Sequence, residues 1–72
     1  KMKKVIKTFD SIAMLGDQFE SEVFRDISDE SLFVYSRVDN TWYRYRWTSG
    51  NREIRFVEEI AGELPIVVQV YP

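Results

Sequence analysis

Arginine and aromatic side chains alternate in the middle of the chain, and few acids lie beside them in sequence to screen their charge. Residues 42–47 read WYRYRW, and residues 32–37 read LFVYSR. Aromatic residues and arginine are over-represented at the energetic centres of protein interfaces. The same residue types stack unpaired bases and hold phosphates in proteins that bind single-stranded nucleic acid. The pattern therefore indicates a binding surface for a protein or, as the alternative, for single-stranded nucleic acid.

Two features of the sequence favour a protein as the partner. The formal net charge is -2, so the molecule as a whole does not attract a polyanion. The chain also lacks the aromatic–glycine signature of an RNA-recognition motif and the GXXG loop of other RNA-binding modules. A third interpretation needs no partner: each arginine stacks on a neighbouring ring, a contact worth about 0.5 to 1 kcal/mol at an exposed site.

The residue types of most catalytic sites are missing. The chain has neither cysteine nor histidine, which excludes thiol nucleophiles, Ser–His pairs and metals held by either residue within one chain. Glu58 and Glu59 are adjacent carboxylates, but neighbouring strand residues point to opposite faces and do not converge. Residues 26–30 carry clustered oxygen donors without the glycine of an EF-hand loop, so a capping loop is favoured. We expect no enzyme activity, no cofactor and no metal site.

Length and composition predict one small domain over residues 1–72. The 72 residues amount to about half of a typical domain, and 44% hydrophobic with 15% aromatic residues can form a core. No apolar run is long enough to span a membrane, and the lack of cysteine fits the cytoplasm. Small domains without catalytic residues are common among phage and mobile-element accessory proteins, which suggests such an origin.

One amphipathic helix is predicted near the start of the chain, because apolar residues recur there at spacings of three and four. These residues are Phe9, Ile12, Ala13, Leu15, Phe19, Val23 and Ile27. Asp10 or Ser11 is expected to cap the first turn. Gly16 costs about 1 kcal/mol relative to alanine inside a helix, so two helices, one ending near Gly16 and one reaching Phe24, are the alternative. The acids expected on the opposite face are Asp17, Glu20, Glu22 and Asp26.

The rest of the chain has the alternating pattern of an antiparallel sheet. The predicted strands are residues 3–9, 32–38, 41–48, 51–57 and 65–71. Two-residue turns are expected at residues 39–40 and 49–50, and the fourth strand could continue to a turn at residues 61–62. The expected fold is α+β in two layers, with one helix packed on one face of a three- to five-stranded antiparallel sheet in the order β-α-β-β-β-β.

Two-residue turns would place Val34 opposite Tyr45 and Leu32 opposite Trp47, on an apolar face that receives the helix. The opposite face is the predicted partner-binding surface. Its candidate residues are Phe33, Tyr35, Arg37, Trp42, Arg44, Arg46 and Arg55. All but one of the six arginines follow residue 36, whereas the acids crowd residues 10–30, so a basic sheet side and an acidic helix side are expected.

The last predicted strand carries no charge and has proline at both ends, a pattern typical of a sheet edge. Such an edge could recruit a second copy of the chain, so a homodimer through this strand is one expected assembly. Together with the arginine and aromatic face, these features predict a small non-catalytic protein-binding module. We expect a regulator or inhibitor that occupies the surface of a partner protein.

Overall fold

A computed structural model describes residues 8–71 as one short helix and a six-stranded antiparallel sheet. The elements are β1 (Thr8–Phe9), α1 (Ile12–Phe19), β2 (Phe24–Asp26), β3 (Leu32–Ser36), β4 (Thr41–Trp47), β5 (Ile54–Ala61) and β6 (Val68–Val70). Their order across the sheet is β1-β5-β4-β3-β2-β6. The predicted α+β class with one helix is confirmed, whereas the predicted count of three to five strands is too low.

Helix α1 is continuous across Gly16, and its first turn is capped as the sequence predicts. The Ser11 hydroxyl oxygen accepts a hydrogen bond from the N–H of Met14 at 3.2 Å. A Cβ added to Gly16 would lie 3.0 Å from the carbonyl oxygen of Ser21 and 3.3 Å from Cγ2 of Val23. Gly16 therefore lets the chain that follows the helix pack closely against it, and the helix continues through this residue.

The predicted helix reaching Ile27 is too long, because the chain reverses direction after Phe19. Glu20 adopts a left-handed conformation with φ 52°, which ends the helix. Strand β2 follows, so the alternative second helix through Phe24 does not form either. Val23 continues the helical spacing and is buried, but it reaches the core from the segment between α1 and β2.

The hydrophobic core lies between α1 and the face of the sheet that we call the inner face. Leu15 and Phe19 of the helix pack with Val34, Tyr43 and Tyr45 of the central strands, and all five are buried. The ring of Phe19 lies 5.1 Å from that of Tyr43 and 6.1 Å from that of Tyr45, centroid to centroid. Buried aromatic rings thus supply much of the contact between the layers.

The β3–β4 hairpin is paired two residues away from the predicted register. Val34 lies opposite Tyr43 and not Tyr45, because the turn contains four residues, 37–40, in place of two. Side chains alternate with a period of two, so this shift leaves every residue on its predicted face. The next turn, residues 48–53, is also longer than the predicted two residues.

Strand β5 extends to Ala61 and is followed by Gly62 in a left-handed conformation with φ 80°, as anticipated. A bulge interrupts its pairing with β4, since Tyr45 lies opposite Phe56 and Arg44 lies opposite Glu58. Val57 is the additional residue between these pairs. The bulge thereby turns Glu58, and not Val57, toward Arg44.

Strands β1 and β6 form the two edges of the sheet. Strand β6 pairs with β2, and its edge position confirms the prediction for the C-terminal strand. Of the predicted first strand, residues 3–9, only Thr8–Phe9 falls within the described part of the chain, where it pairs with β5. No helix within residues 8–71 is long and apolar enough to cross a membrane.

Candidate binding surface

The face of the sheet opposite α1, here called the outer face, carries three neighbouring aromatic side chains, one of which contacts the other two. The ring of Trp42 meets that of Tyr35 at 5.2 Å and that of Phe24 at 5.6 Å, both edge to face. The rings come from the neighbouring strands β2, β3 and β4, and each is half-buried. We call these three residues the aromatic cluster. The Trp42 ring packs against both other rings, and all three rings keep an accessible side.

An open groove of about 530 Å³ is lined by the aromatic cluster and by charged side chains. Glu20 and Glu22 contribute acids, and Arg37 contributes a base; all three are exposed. Glu20 and Glu22 were expected on the helix, but both follow it in the chain reversal. Within residues 8–71, Arg37 forms no ion pair. The groove thus combines aromatic walls with charges of both signs.

Phe33 is not available for contact, contrary to the prediction. It lies on the outer face by register, opposite Phe24 on one side and Arg44 on the other. Only 1% of its surface is exposed, and it lies outside the core cluster beneath α1. Because it sits on a central strand between two large neighbours, its ring is enclosed on its own side of the sheet. It supports the outer face without presenting a surface to a partner.

The central arginines of the outer face are held by carboxylates. Arg44 donates from Nη1 to Glu58 at 2.8 Å, from Nη2 to Asp29 at 3.3 Å, and from Nε to the Ser31 hydroxyl at 3.0 Å. Arg46 reaches the same Asp29 oxygen at 3.1 Å. These contacts contradict the expectation that few acids screen the arginines. Acids of the same chain therefore neutralise much of the positive charge of the sheet.

The loop between β2 and β3 positions Asp29 for this role. Its Oδ1 accepts a hydrogen bond from the backbone N–H of Ser31 at 2.9 Å. That hydrogen bond, helped by the two arginines, holds the pKa of the Asp29 carboxyl below its usual 3.8. Asp26, which belongs to β2 and not to the helix, accepts from the N–H and the hydroxyl of Ser28, both at 2.8 Å. Both carboxylates thus accept backbone N–H groups of the loop, as the predicted capping loop requires. Residues 8–71 contain no cluster of acids suited to a metal ion.

Three of the seven predicted contact residues, Tyr35, Arg37 and Trp42, line the groove. Arg55 pairs with Glu53 at 3.0 Å and lies outside the groove lining. Sequence reasoning missed Phe24, Glu20 and Glu22 as groove residues. Their signal was hidden because a three-residue strand is too short to show alternation, and the stripe of the preceding helix appeared to continue through it.

A second cleft opens on the inner face, at the part of the sheet that α1 leaves uncovered. It measures about 240 Å³ and is lined by Arg25, Leu32, Trp47 and Tyr71 among others. Pockets for small molecules usually measure about 300 to 1,000 Å³. The groove on the outer face is larger and more aromatic, so we take it as the candidate site.

The chain matches no protein-family model, and no curated protein or solved structure is significantly similar to it. A functional assignment therefore depends on the chemistry of the groove and of the rest of the surface. In the groove, aromatic walls and unlike charges favour recognition of another molecule. The groove-lining residues include neither a cysteine nor a histidine that could act as a nucleophile or a proton shuttle.

Proposed function

We propose that this chain is a small non-catalytic protein-binding module, a regulator or inhibitor that acts by occupying a partner protein's surface. The observation that supports the proposal is the aromatic cluster in an open groove, with Trp42 in contact with both other rings. Tryptophan, tyrosine and arginine are the residue types that most often dominate binding energy at protein interfaces. Trp42 is the central anchor of the proposed interface.

The charges of the groove define the chemistry of the partner. Glu20 and Glu22 favour a lysine or arginine on the partner, and Arg37 favours a carboxylate. An apolar side chain of the partner would pack against Trp42 between these charges. A protein surface offers such a mixture over the short span of the groove, whereas a polyanion would be repelled by the two glutamates.

Binding of single-stranded nucleic acid is the second candidate, supported by the accessible rings of Tyr35 and Trp42. Arg44 and Arg46 would have to hold the phosphates in that case. Both are already engaged by Asp29, so phosphate contacts would have to displace an existing ion pair. This competition ranks nucleic acid below a protein partner.

We further propose that the protein is cytoplasmic, because its lack of cysteine suits a reducing compartment. We propose an origin as an accessory protein of a phage or mobile element, because small non-catalytic modules are common in that class. The absence of histidine and cysteine from the sequence supports a protein without enzyme activity.

The proposal is tested by affinity capture of the full chain and its variants from a lysate of its source, with binding then measured on the purified pair. Trp42→Ala is expected to weaken binding at least tenfold, about 1.4 kcal/mol or more. Arg37→Glu is expected to weaken it, and Arg52→Glu to leave it unchanged. Arg37 and Arg52 are matched, since both are exposed in hairpin loops and neither has an ion pair within residues 8–71.

Thermal melts of each variant separate loss of binding from loss of folding, and Trp42→Phe, which keeps an aromatic ring in the cluster, provides a second folded variant. A partner that binds Trp42→Ala and Arg37→Glu as tightly as the wild type would contradict the proposal. Titration with an oligothymidine at rising salt tests the alternative. Tight, salt-sensitive binding that Arg44→Ala plus Arg46→Ala abolishes would put nucleic acid first.

A further inference from the structure

Strand β6 presents an edge of the sheet along which the described part of the chain has no further strand. The N–H of Tyr71 donates to the carbonyl oxygen of Val23 on the β2 side, at 2.8 Å. Antiparallel pairs alternate between hydrogen-bonded and non-hydrogen-bonded positions. Tyr71 and Gln69 therefore direct their backbone groups toward β2, and Val68 and Val70 direct theirs outward. The edge offers two N–H donors and two carbonyl acceptors.

The segment around β6 lacks the charged side chains that often protect a sheet edge from other strands. Residues 64–72 contain no charged side chain. Ile66, Val67 and Val70 are exposed to 40%, 76% and 51%. Edges are commonly protected by lysine, by inward-pointing charges, by bulges, by proline or by a short strand. Of these, β6 has only its three-residue length and the flanking Pro65 and Pro72. All four lysines of the chain instead precede β1, which forms the opposite edge.

The sequence of β6 is symmetric about its central residue, with Val68 and Val70 flanking Gln69. In an antiparallel pair of two such strands with Gln69 opposite Gln69, each Val68 lies opposite a Val70. These are the residues whose backbone groups point outward, so four hydrogen bonds form across the axis. No like charges meet, and the two glutamine amides can pair with each other.

We propose that two copies of this chain associate through β6, antiparallel about a two-fold axis at Gln69, so that their sheets join into one. The symmetry and neutrality of the segment favour a second copy, because in this register Val68 meets Val70 and Gln69 meets Gln69 with no opposed like charges. Pro65 and Pro72 bracket the segment and limit the length of the pairing. The association stops at a dimer, since the β6 edge of each copy is paired with that of the other. It does not depend on the outer-face groove.

Cysteine cross-linking tests this register directly, because the chain has no cysteine of its own. Cα atoms at a non-hydrogen-bonded antiparallel position lie about 4.5 Å apart, within the range of a disulfide. Gln69→Cys is expected to form a covalent dimer in most of the protein on mild oxidation. Gln18→Cys, on helix α1, is expected to give only background cross-linking.

Light scattering over a concentration series tests the association itself. The wild type is expected to approach twice the mass of one chain, and Val70→Lys to weaken dimerisation at least tenfold by placing like charges near the axis. Val38→Lys is the matched control, since Val38 and Val70 are equally exposed at 51%. Trp42→Ala is expected to dimerise as the wild type does, which keeps this test separate from that of the groove.

Three outcomes would overturn the proposal. One is a monomer up to about 1 mM with no cross-linking of Gln69→Cys. Another is a dimer that Val70→Lys leaves intact and Gln69→Cys does not trap, because the copies would then meet elsewhere. The third is a Gln69→Cys protein that cross-links only to a different protein, because the edge would then recruit a foreign strand.

Discussion

At the scale of single residues, Asp29 decides the electrostatics of the outer face. Its side chain accepts the N–H of Ser31 within the β2–β3 loop and also pairs with Arg44 and Arg46 on β4. The arginines lie far from it in sequence, so the charge segregation along the chain does not survive folding. One carboxylate both closes a turn and removes positive charge from the sheet.

The loss of unfolding free energy at acid pH is expected to depend on Asp29. Its pKa is lowered in the folded protein, so its contribution to stability is present above its ordinary pKa of 3.8 and is lost as pH falls through the lower folded value. Asp29→Asn should therefore lose less unfolding free energy than the wild type between about pH 5 and pH 2. Urea unfolding at several pH values measures this, with Asp17→Asn on α1 as a control that follows the wild type. Identical losses of unfolding free energy at acid pH for Asp29→Asn and the wild type would refute the assignment.

The loss of unfolding free energy at alkaline pH is expected to depend on Tyr43. Burial raises the pKa of its hydroxyl above the usual 10, and the hydrogen bond that it donates to Asp39 at 2.5 Å raises the pKa further. The neutral form is favoured in the fold, so this contribution is full below about pH 10 and is lost as pH rises above it.

Tyr43→Phe is therefore expected to be less stable at neutral pH by about 1 kcal/mol, through loss of the hydrogen bond, and to lose less stability in alkali. Unfolding at a series of pH values from neutral upward measures both effects. Tyr35→Phe is the control, since Tyr35 is half-buried on the outer face and should keep the alkaline sensitivity of the wild type. A Tyr43→Phe protein as alkali-sensitive as the wild type would count against this explanation.

At the scale of elements, the end of α1 determines where the groove forms. The left-handed residue Glu20 turns the chain back across Gly16, and the reversal carries Glu22 and then β2 to the outer-face groove. Helical propensity alone would let the apolar stripe continue through this point. The chain reversal is favoured over a longer helix because β2 then forms backbone hydrogen bonds with both β3 and β6.

Substitutions at the helix end are expected to have opposite effects. Glu20→Gly should stabilise the fold by about 1 kcal/mol, because glycine adopts the left-handed conformation without steric cost. Gly16→Ala should destabilise it despite alanine's higher helix propensity, because its Cβ would meet the Ser21 carbonyl oxygen at 3.0 Å. Chemical denaturation measures both, and Asp17→Gly, expected to cost about 1 kcal/mol, is the control within the helix. A destabilised Glu20→Gly would contradict this account.

At the scale of the whole molecule, the sheet combines local and distant pairings. The hairpins β3–β4 and β4–β5 connect neighbours in sequence, whereas β1 pairs with β5 and β2 pairs with β6. Distant pairings pay the entropy of closing a long loop before they gain any contact. The central meander is therefore expected to form first, with the two edges added later.

Folding kinetics test this order. Val34→Ala, in the buried centre of β3, is expected to slow folding with a φ-value of about 0.5 or more. Phe9 is the buried residue of β1, and Phe9→Leu is expected mainly to speed unfolding, with a φ-value of about 0.3 or less. Stopped-flow refolding and unfolding at low protein concentration measure both. A higher φ-value for Phe9→Leu than for Val34→Ala would reverse the order.

The sequence by itself determined the features that local patterns encode. The period of two placed Val34, Tyr43 and Tyr45 on the buried face even though the pairing register was wrong, because a shift of two residues preserves the face. The α+β class, the cap at Ser11 and the edge position of the last strand follow from comparably short signals.

Only the tertiary structure decided which distant groups meet. The end of α1, the bulge that brings Glu58 to Arg44, and the enclosure of Phe33 all depend on strands that are far apart in sequence. Spacing along a chain carries no information about such partners, because the free energy of each contact is set by what lies opposite in space. The groove combines residues from a chain reversal and three strands, so it existed as a site only once these had packed together.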